Sequence, residues 1–325
     1  MSEATPVSAG GEPVHPRPPT PAPQPAKPHS ELAGRLLTAS ILVPLIIYAI
    51  YRGGLWTLGT VIALTLLGQR EFYRLIEDKG AHPLVPYGLA AGAALPVVAY
   101  LGTEYHATVL MTAALLVVMV AQLGKAQIGE ALESISGTFF GVFYVGWLLS
   151  HAVVLRQVHG SVVSRYGELV PAQLGIVPDA GIFFMLFTLT VVVWCDAGAY
   201  FAGRAYGKHK LAPKISPGKS VEGAVGGVLS GLLGGLVIKG LFDFFWPALS
   251  QGLSWAAVPV FGVVLAVAGI LGDLIESLLK RDAKVKDTGH LLPGTGGVLD
   301  RIDSPLLGIP VMYYMLLTYI FLRVS

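Results

Sequence analysis

The sequence predicts an all-α, polytopic integral membrane protein of about nine transmembrane helices. Three observations carry the prediction. Hydrophobic residues make up 54% of the 325 positions and charged residues 13%, with a mean hydropathy of +0.66. A soluble domain carries about 25% charged residues. Apolar runs close to the length that crosses a bilayer recur along most of the chain. Lysine and arginine are distributed unevenly among the segments that join those runs.

Taken in order, residues 1–30 hold nine prolines. Such a segment cannot bury enough apolar surface to offset its ordering entropy, so a disordered, partly polyproline II, cytoplasmic tail is expected. It lacks the early apolar run and the A-x-A site of a secretory signal. The first span covers residues 36–51, and Gly53-Gly54 turn the chain into the second at 55–76. The third and fourth cover 86–101 and 107–123. An amphipathic piece at 127–135 is expected to lie at the interface. The fifth span covers 137–158, the sixth 180–206, the seventh 221–245, the eighth 255–279 and the ninth 306–322. This divides the chain into an N-terminal transmembrane region (31–179) and a C-terminal region (180–325) with the chemistry-bearing loops. The glycines of the seventh span (Gly226, Gly227, Gly231, Gly234, Gly235) predict close helix packing, against the core or a second subunit of a homodimer.

Charge fixes an orientation. With the tail cytoplasmic and the spans alternating, 17 of the 22 Lys and Arg fall on the cytoplasmic side and 5 outside. That predicts N-terminus in and C-terminus out. Net charge is only +2, and no basic arm or aromatic-basic repeat suggests nucleic acid as a partner. Cys195 is the sole cysteine, which excludes a disulfide framework and a cysteine metal site. No H-x-x-H, G-x-S-x-G or P-loop pattern occurs.

Residues 277–303 concentrate charge in this apolar chain. Four carboxylates (Asp282, Asp287, Asp300, Asp303) and five cations (Lys280, Arg281, Lys284, Lys286, Arg301) surround a Pro293-Gly294-Thr295-Gly296-Gly297 turn. Carboxylates beside lysines and a glycine loop suit a Mg²⁺–polyphosphate site. Just upstream, Asp273 and Glu276 share a helical face at i, i+3, with Lys280 one turn on. Ionisable groups inside spans mark function by default, and Asp196 in the sixth span is a further case. Glu71 neighbours Arg70 and Arg74, and is expected to be interfacial. A second basic segment, 204–223, offers Lys208, Lys210, Lys214 and Lys219 with Ser216 and Ser220. Lysines and hydroxyls suit phosphate, and Ser220 is placed to cap the seventh helix.

These residues resemble the phosphatidate cytidylyltransferases. The pattern runs from Ser277 through Lys280-Arg281, Lys286-Asp287, Gly289, Leu292, Pro293, Gly296-Gly297 and Asp300-Arg301 to Asp303, departing at Thr295, where that family has His. The 204–223 loop is similar as well, with Ala197 and Ser220 as mild departures, so the resemblance covers residues 194–304. It implies transfer of a cytidylyl group from CTP to phosphatidate, giving CDP-diacylglycerol and pyrophosphate in phospholipid biosynthesis. It also implies a Mg²⁺ ion on Asp273, Asp300 and Asp303, with room for a second cation. Lys286 and Asp287 complete the expected catalytic set. Substrate contacts fall to Asp196, Lys208, Lys214, Ser216, Lys219, Ser220, Lys280, Arg281, Gly296, Gly297 and Arg301. Expected partners are CTP, phosphatidate and membrane lipids, at the cytoplasmic face of a bacterial inner membrane. Two other readings stay open: a CTP-dependent polyprenol or lipid kinase, and a transporter using Asp196 and Asp273.

Overall fold

The computed structural model describes residues 28–102, 104–125, 128–289, 291 and 296–324. Most of the expected tail, like residues 292–295 with Pro293, Gly294 and Thr295 of the glycine turn, lies outside the described residues. Helices account for nearly everything else. In order they are α1 (Pro28–Arg52), α2 (Gly54–Asp78), α3 (Val85–Leu101), α4 (Glu104–Leu123) and α5 (Ala131–Gly141), which passes through a π-helical stretch (Val142–Trp147) into α6 (Leu148–Arg156). Short helices α7 (Val158–Tyr166) and α8 (Leu169–Leu174) precede α9 (Ala180–Tyr206). A two-stranded hairpin, β1 (Lys210–Ala212) and β2 (Ser216–Ser220), leads into α10 (Val221–Phe245), then α11 (Pro247–Ser250), α12 (Val258–Asp282) and α13 (Leu299–Val324).

Among the described residues, six helical segments are long and apolar enough to cross a membrane: Tyr105–Leu123, Ala131–Arg156, Ala180–Tyr206, Val221–Phe245, Val258–Asp282 and Leu299–Val324. Thr38–Arg52 and Val85–Leu101 are shorter apolar helices. α2 has 25 residues, and its last third carries Arg70, Glu71, Arg74, Glu77 and Asp78. The protein is an all-α integral membrane protein. Two sequence expectations need correction. Residues 131–135 form no separate interfacial piece, because they begin the continuous helix that runs to Arg156. The last helix starts at Leu299, so Asp300, Arg301 and Asp303 belong to its first turns, not to a loop.

The core forms where small residues let backbones meet. A Cβ on Gly223, Gly227 or Gly231 would come within 2.9–3.0 Å of the Ala199, Cys195 or Val191 carbonyl. One glycine stripe of α10 is therefore spent on α9, which is the intrachain form of the packing expected. Phe183, Phe184 and Phe187 of α9 are fully buried, and Phe183 meets Phe242 of α10 at 5.3 Å between ring centres. On α12, a Cβ at Gly272 would sit 2.5 Å from the Asp303 carbonyl. That glycine brings α13 against α12 at the height of the acidic residues.

Contacts between distant segments sort the chain ends into two groups. Lys79 after α2 pairs with Asp282 at the end of α12, and His82 before α3 meets Glu130 before α5 at 2.8 Å. Arg281 donates to the Ile215 carbonyl in the hairpin turn at 3.4 Å. At the opposite ends, Arg156 of α6 donates to the Ile50 carbonyl of α1 at 2.6 Å and to Asp179, before α9, at 2.9 Å. The basic segments after α2, in the hairpin and at the end of α12 thus share one end of the bundle.

Candidate active site

α12 carries the acidic residues into that end of the bundle. Its last turn holds Lys280 and Arg281, whose charge suits the helix C-terminus. The helix stops in a Schellman-type turn. Lys284 takes a left-handed φ of 58°, the Lys284 N–H reaches the Arg281 carbonyl at 3.1 Å, and the Val285 N–H reaches that of Lys280 at 2.9 Å. The charged loop then returns through Thr288 and Gly297 to α13.

Three carboxylates converge where α12 crosses α13. Oxygens of Asp273, Glu276 and Asp303 all lie within 4.8 Å of one another. Glu276 is 1% exposed. Its Oε2 is 2.7 Å from the Lys280 ammonium, which also bonds Asp300 Oδ1 at 2.8 Å. Asp273 pairs with Lys219 at 2.6 Å and accepts from the Ser277 hydroxyl at 3.3 Å. Buried like charges stay together only when counter-charges or a bound cation offset their repulsion. An all-carboxylate oxygen set fits a hard divalent cation.

Asp300 flanks this trio through the Lys280 ammonium that it shares with Glu276. Beyond Lys280, its Oδ2 accepts the Thr288 N–H at 3.0 Å, the Thr288 hydroxyl at 3.0 Å and the Gly297 N–H at 2.7 Å. It therefore ties the loop to the start of α13, while Glu276 stands beside Asp273 and Asp303. Gly296 has a φ of 84°, and a Cβ there would lie 2.6 Å from Asp300 Oδ2, so both conformation and space require glycine.

Glu71 corrects a sequence expectation. It is buried, at 4% exposure, not interfacial. Its carboxylate accepts the Val298 N–H at 3.0 Å, the Leu299 N–H at 2.8 Å and the Thr288 hydroxyl at 3.2 Å. Those N–H groups open α13, where a negative charge is favoured. The available signal was a carboxylate inside a mostly apolar span. Its arginine neighbours suggested the surface instead.

A cavity of about 480 Å³ opens beside the acidic trio, lined by Asp196, Tyr200, Arg204, Ser216, Gly218, Lys219, Ser220 and Asp273 among others. The hairpin forms one wall, pairing Lys210 with Ser220 and Ala212 with Ser216. Glu222 anchors it by accepting the Lys208 N–H at 3.0 Å and His209 Nδ1 at 2.5 Å. Ser220 caps α10 as expected, accepting the Gly223 N–H at 3.1 Å. Of the expected substrate contacts, Asp196, Ser216, Lys219 and Ser220 line this cavity. Lys280 lies behind it in the acidic cluster. Lys208, Lys214, Lys286, Asp287, Arg281 and Arg301 are exposed around the same end of the bundle.

Fold and site together define a polytopic membrane protein with a buried acidic centre and a lysine-bearing cavity at one end of its helices. The sequence pattern of the cytidylyltransferase family matches residues 33–319. A phosphatidate cytidylyltransferase from Synechocystis sp. is 32% identical over 292 residues, spanning 86% of this chain and 94% of the relative. One from Pseudomonas aeruginosa is 34% identical over 302 residues, spanning 88% and 97%. One from Haemophilus influenzae is 42% identical over 160 residues, spanning 46% and 54%. The chain belongs to the cytidylyltransferase family.

Proposed function

We propose that the protein is a phosphatidate cytidylyltransferase, converting CTP and phosphatidate to CDP-diacylglycerol and pyrophosphate. The observation that carries this reading is the Asp273–Glu276–Asp303 trio opening, through the Asp273–Lys219 pair, onto the cavity. Full-length similarity to relatives named for the same activity supports it.

In the reaction, an oxygen of the lipid phosphate attacks the α-phosphorus of CTP. The new P–O bond forms as the bond to the bridging oxygen of the β-phosphate breaks, and pyrophosphate leaves with that electron pair. Such a transfer needs positioning and charge neutralisation more than covalent help. Lys219 faces the cavity and shares its charge between Asp273 and an incoming phosphate. Ser216, Ser220 and the hairpin backbone offer donors on the same wall. Asp196, across the cavity, orients the nucleotide. Lys208, Lys214, Lys286 and Arg281 raise the positive potential at the entrance, and Arg301 suits the lipid phosphate.

Asp273, Glu276 and Asp303 would hold Mg²⁺, which supplies charge neutralisation at the phosphates when bound. Asp300 keeps the loop and Lys280 in register with that set. The Lys280 ammonium, paired with both Glu276 and Asp300, supplies a fixed positive charge beside that set. The orientation this reading carries is nine passes with the tail, both charged loops and the site in the cytoplasm, in a bacterial inner membrane. A homodimer is the expected assembly.

Pyrophosphate release in detergent tests the reading. It should require CTP, phosphatidate and a divalent cation together, and Asp303→Asn should abolish it. Release of CDP instead, with a polyprenol acceptor, would replace it with the lipid-kinase reading.

A further inference from the structure

Two cations are found among the residues that line the cavity, Lys219 on the hairpin and Arg204 in the last turn of α9. They differ in what they already hold. Lys219 is paired with Asp273 at 2.6 Å. Arg204 donates from Nη1 to the Tyr200 hydroxyl at 3.1 Å, and among the described residues it forms no ion pair. Arg301, suited to the same kind of anion, is not among the lining residues.

The α9 wall also has the character of a lipid boundary. Asp196, Tyr200 and Arg204 recur at i, i+4 and i+8, which sets them on one stripe, and all three line the cavity. The adjoining row, Val193, Ala197 and Phe201, is apolar and exposed, which suits contact with acyl chains. Tyr200, Phe201 and Tyr206 are 59%, 69% and 71% exposed near the helix end. Exposed aromatic rings at the end of a membrane helix mark the depth of lipid headgroups. Arg204 lies at that depth, between Phe201 and Tyr206 in the sequence.

The reaction needs two anion contacts. In-line displacement places the attacking and leaving oxygens on opposite sides of the α-phosphorus. The lipid phosphate and the departing pyrophosphate therefore need separate cations. The Arg204 guanidinium keeps a fork of further N–H groups beyond the one that Tyr200 accepts, and such a fork matches two oxygens of one phosphate.

We propose that Arg204, steadied by the Tyr200 hydroxyl, binds the phosphate monoester of the lipid substrate, while Lys219 on the hairpin serves the nucleotide. Tyr200 is then a positioning residue, and Arg204 sets the specificity for the lipid headgroup. This rests on the cytidylyltransferase reading and deepens it by assigning the lipid side of the cavity.

Wild type, Arg204→Gln, Arg204→Lys and Tyr200→Phe are compared in one mixed-micelle system with α-labelled CTP and phosphatidate, measuring kcat, both KM values and the substrate-free Tm. Arg204→Gln should raise the KM for phosphatidate about 10–100-fold, the scale of a lost hydrogen bond to a charged group. The KM for CTP should stay within about twofold. Arg204→Lys, which keeps the charge but not the fork, should recover only part of that loss. Tyr200→Phe should raise the phosphatidate KM about 2–10-fold. Tm should hold in all three, because both side chains are exposed. A wild-type phosphatidate KM in Arg204→Gln overturns the proposal, and so does a rise confined to the KM for CTP, which assigns Arg204 to the nucleotide. Full recovery in Arg204→Lys, or a wild-type KM in Tyr200→Phe, overturns the tyrosine-held guanidinium contact. A Tm fall that accompanies the KM rise assigns the effect to folding and overturns it too. A folded wild-type preparation that labels no lipid overturns the cytidylyltransferase reading itself, and this inference with it.

Discussion

Glu71 Oε2 accepts the main-chain N–H of Leu299 at 2.8 Å, across 228 positions of sequence. The bond joins the N-terminal helices to the first turn of α13, one residue before Asp300 and four before Asp303. The height of Asp303 beside Asp273 and Glu276 thus depends on a side chain from α2.

Glu71→Ala should therefore loosen the site from a distance. It leaves the Val298 and Leu299 N–H groups and the Thr288 hydroxyl without this acceptor. Orphaned donors cost about 1–3 kcal/mol each, and the Thr288 hydroxyl retains Asp300. A lower Tm in detergent and faster proteolysis within residues 284–298 are expected, with activity falling alongside. Glu71→Gln keeps one acceptor and should fall between. A wild-type Tm in Glu71→Ala would show that the bond fixes nothing.

Asp273→Asn separates chemistry from folding in the other direction. The amide keeps the size of the side chain on α12 but removes a charge paired with Lys219 at 2.6 Å. Turnover should drop by about 10²–10³-fold, the scale of losing a major electrostatic contact at a reacting centre. Tm should move by only a few degrees, since about 1 kcal/mol shifts a chain of roughly 150–250 residues by about 2–4 °C and a longer one by less. An active Asp273→Asn enzyme contradicts the assignment of the acidic trio.

Gly272→Ala tests how closely α12 and α13 must approach. The new methyl would lie 2.5 Å from the Asp303 carbonyl, so one helix must shift. A displacement of that kind near reacting groups costs about 10²-fold in rate. Gly240→Ala is the control, with its nearest atom 3.8 Å away on Trp255. Steady-state kinetics of the pair should separate cleanly. Equal activity would remove the role given to the close crossing.

At the opposite end of α10, Lys239 should matter for stability alone. It is 3% exposed, pairs with Asp243 and lies 5.3 Å from the Trp255 ring centre. Lys239→Met leaves Asp243 without its counter-charge. The expected loss is about 2 kcal/mol, below the full penalty for a buried pair because Asp243 is partly exposed. kcat of the folded fraction should be unchanged, and Asp243→Asn in the same chain should restore most of the Tm.

The sequence revealed most where composition or spacing is local. The bounds of α9 and α10 emerge from uninterrupted apolar runs, and the Ser220 cap from a hydroxyl residue just before one. Asp273 and Glu276 were visible as an i, i+3 carboxylate pair inside a span. What stayed hidden depends on tertiary partners. Asp300 and Asp303 look equivalent in sequence, yet α13 begins at Leu299 and turns Asp300 toward Thr288 and Gly297, and Asp303 toward Asp273. Glu71 read as a surface charge because its acceptor role requires N–H groups from the far end of the chain. The hairpin at 210–220 had no alternating apolar pattern, and its fold is held by Glu222 and Arg281.

The most direct test of the account is where label from CTP goes. Purified protein is incubated with phosphatidate and Mg²⁺, using α-labelled and γ-labelled CTP in parallel, and the lipids are extracted. The account predicts α-label in the lipid phase and γ-label in aqueous pyrophosphate, with both signals lost in Asp273→Asn. γ-Label in the lipid phase, or no labelled lipid from folded protein, would contradict it.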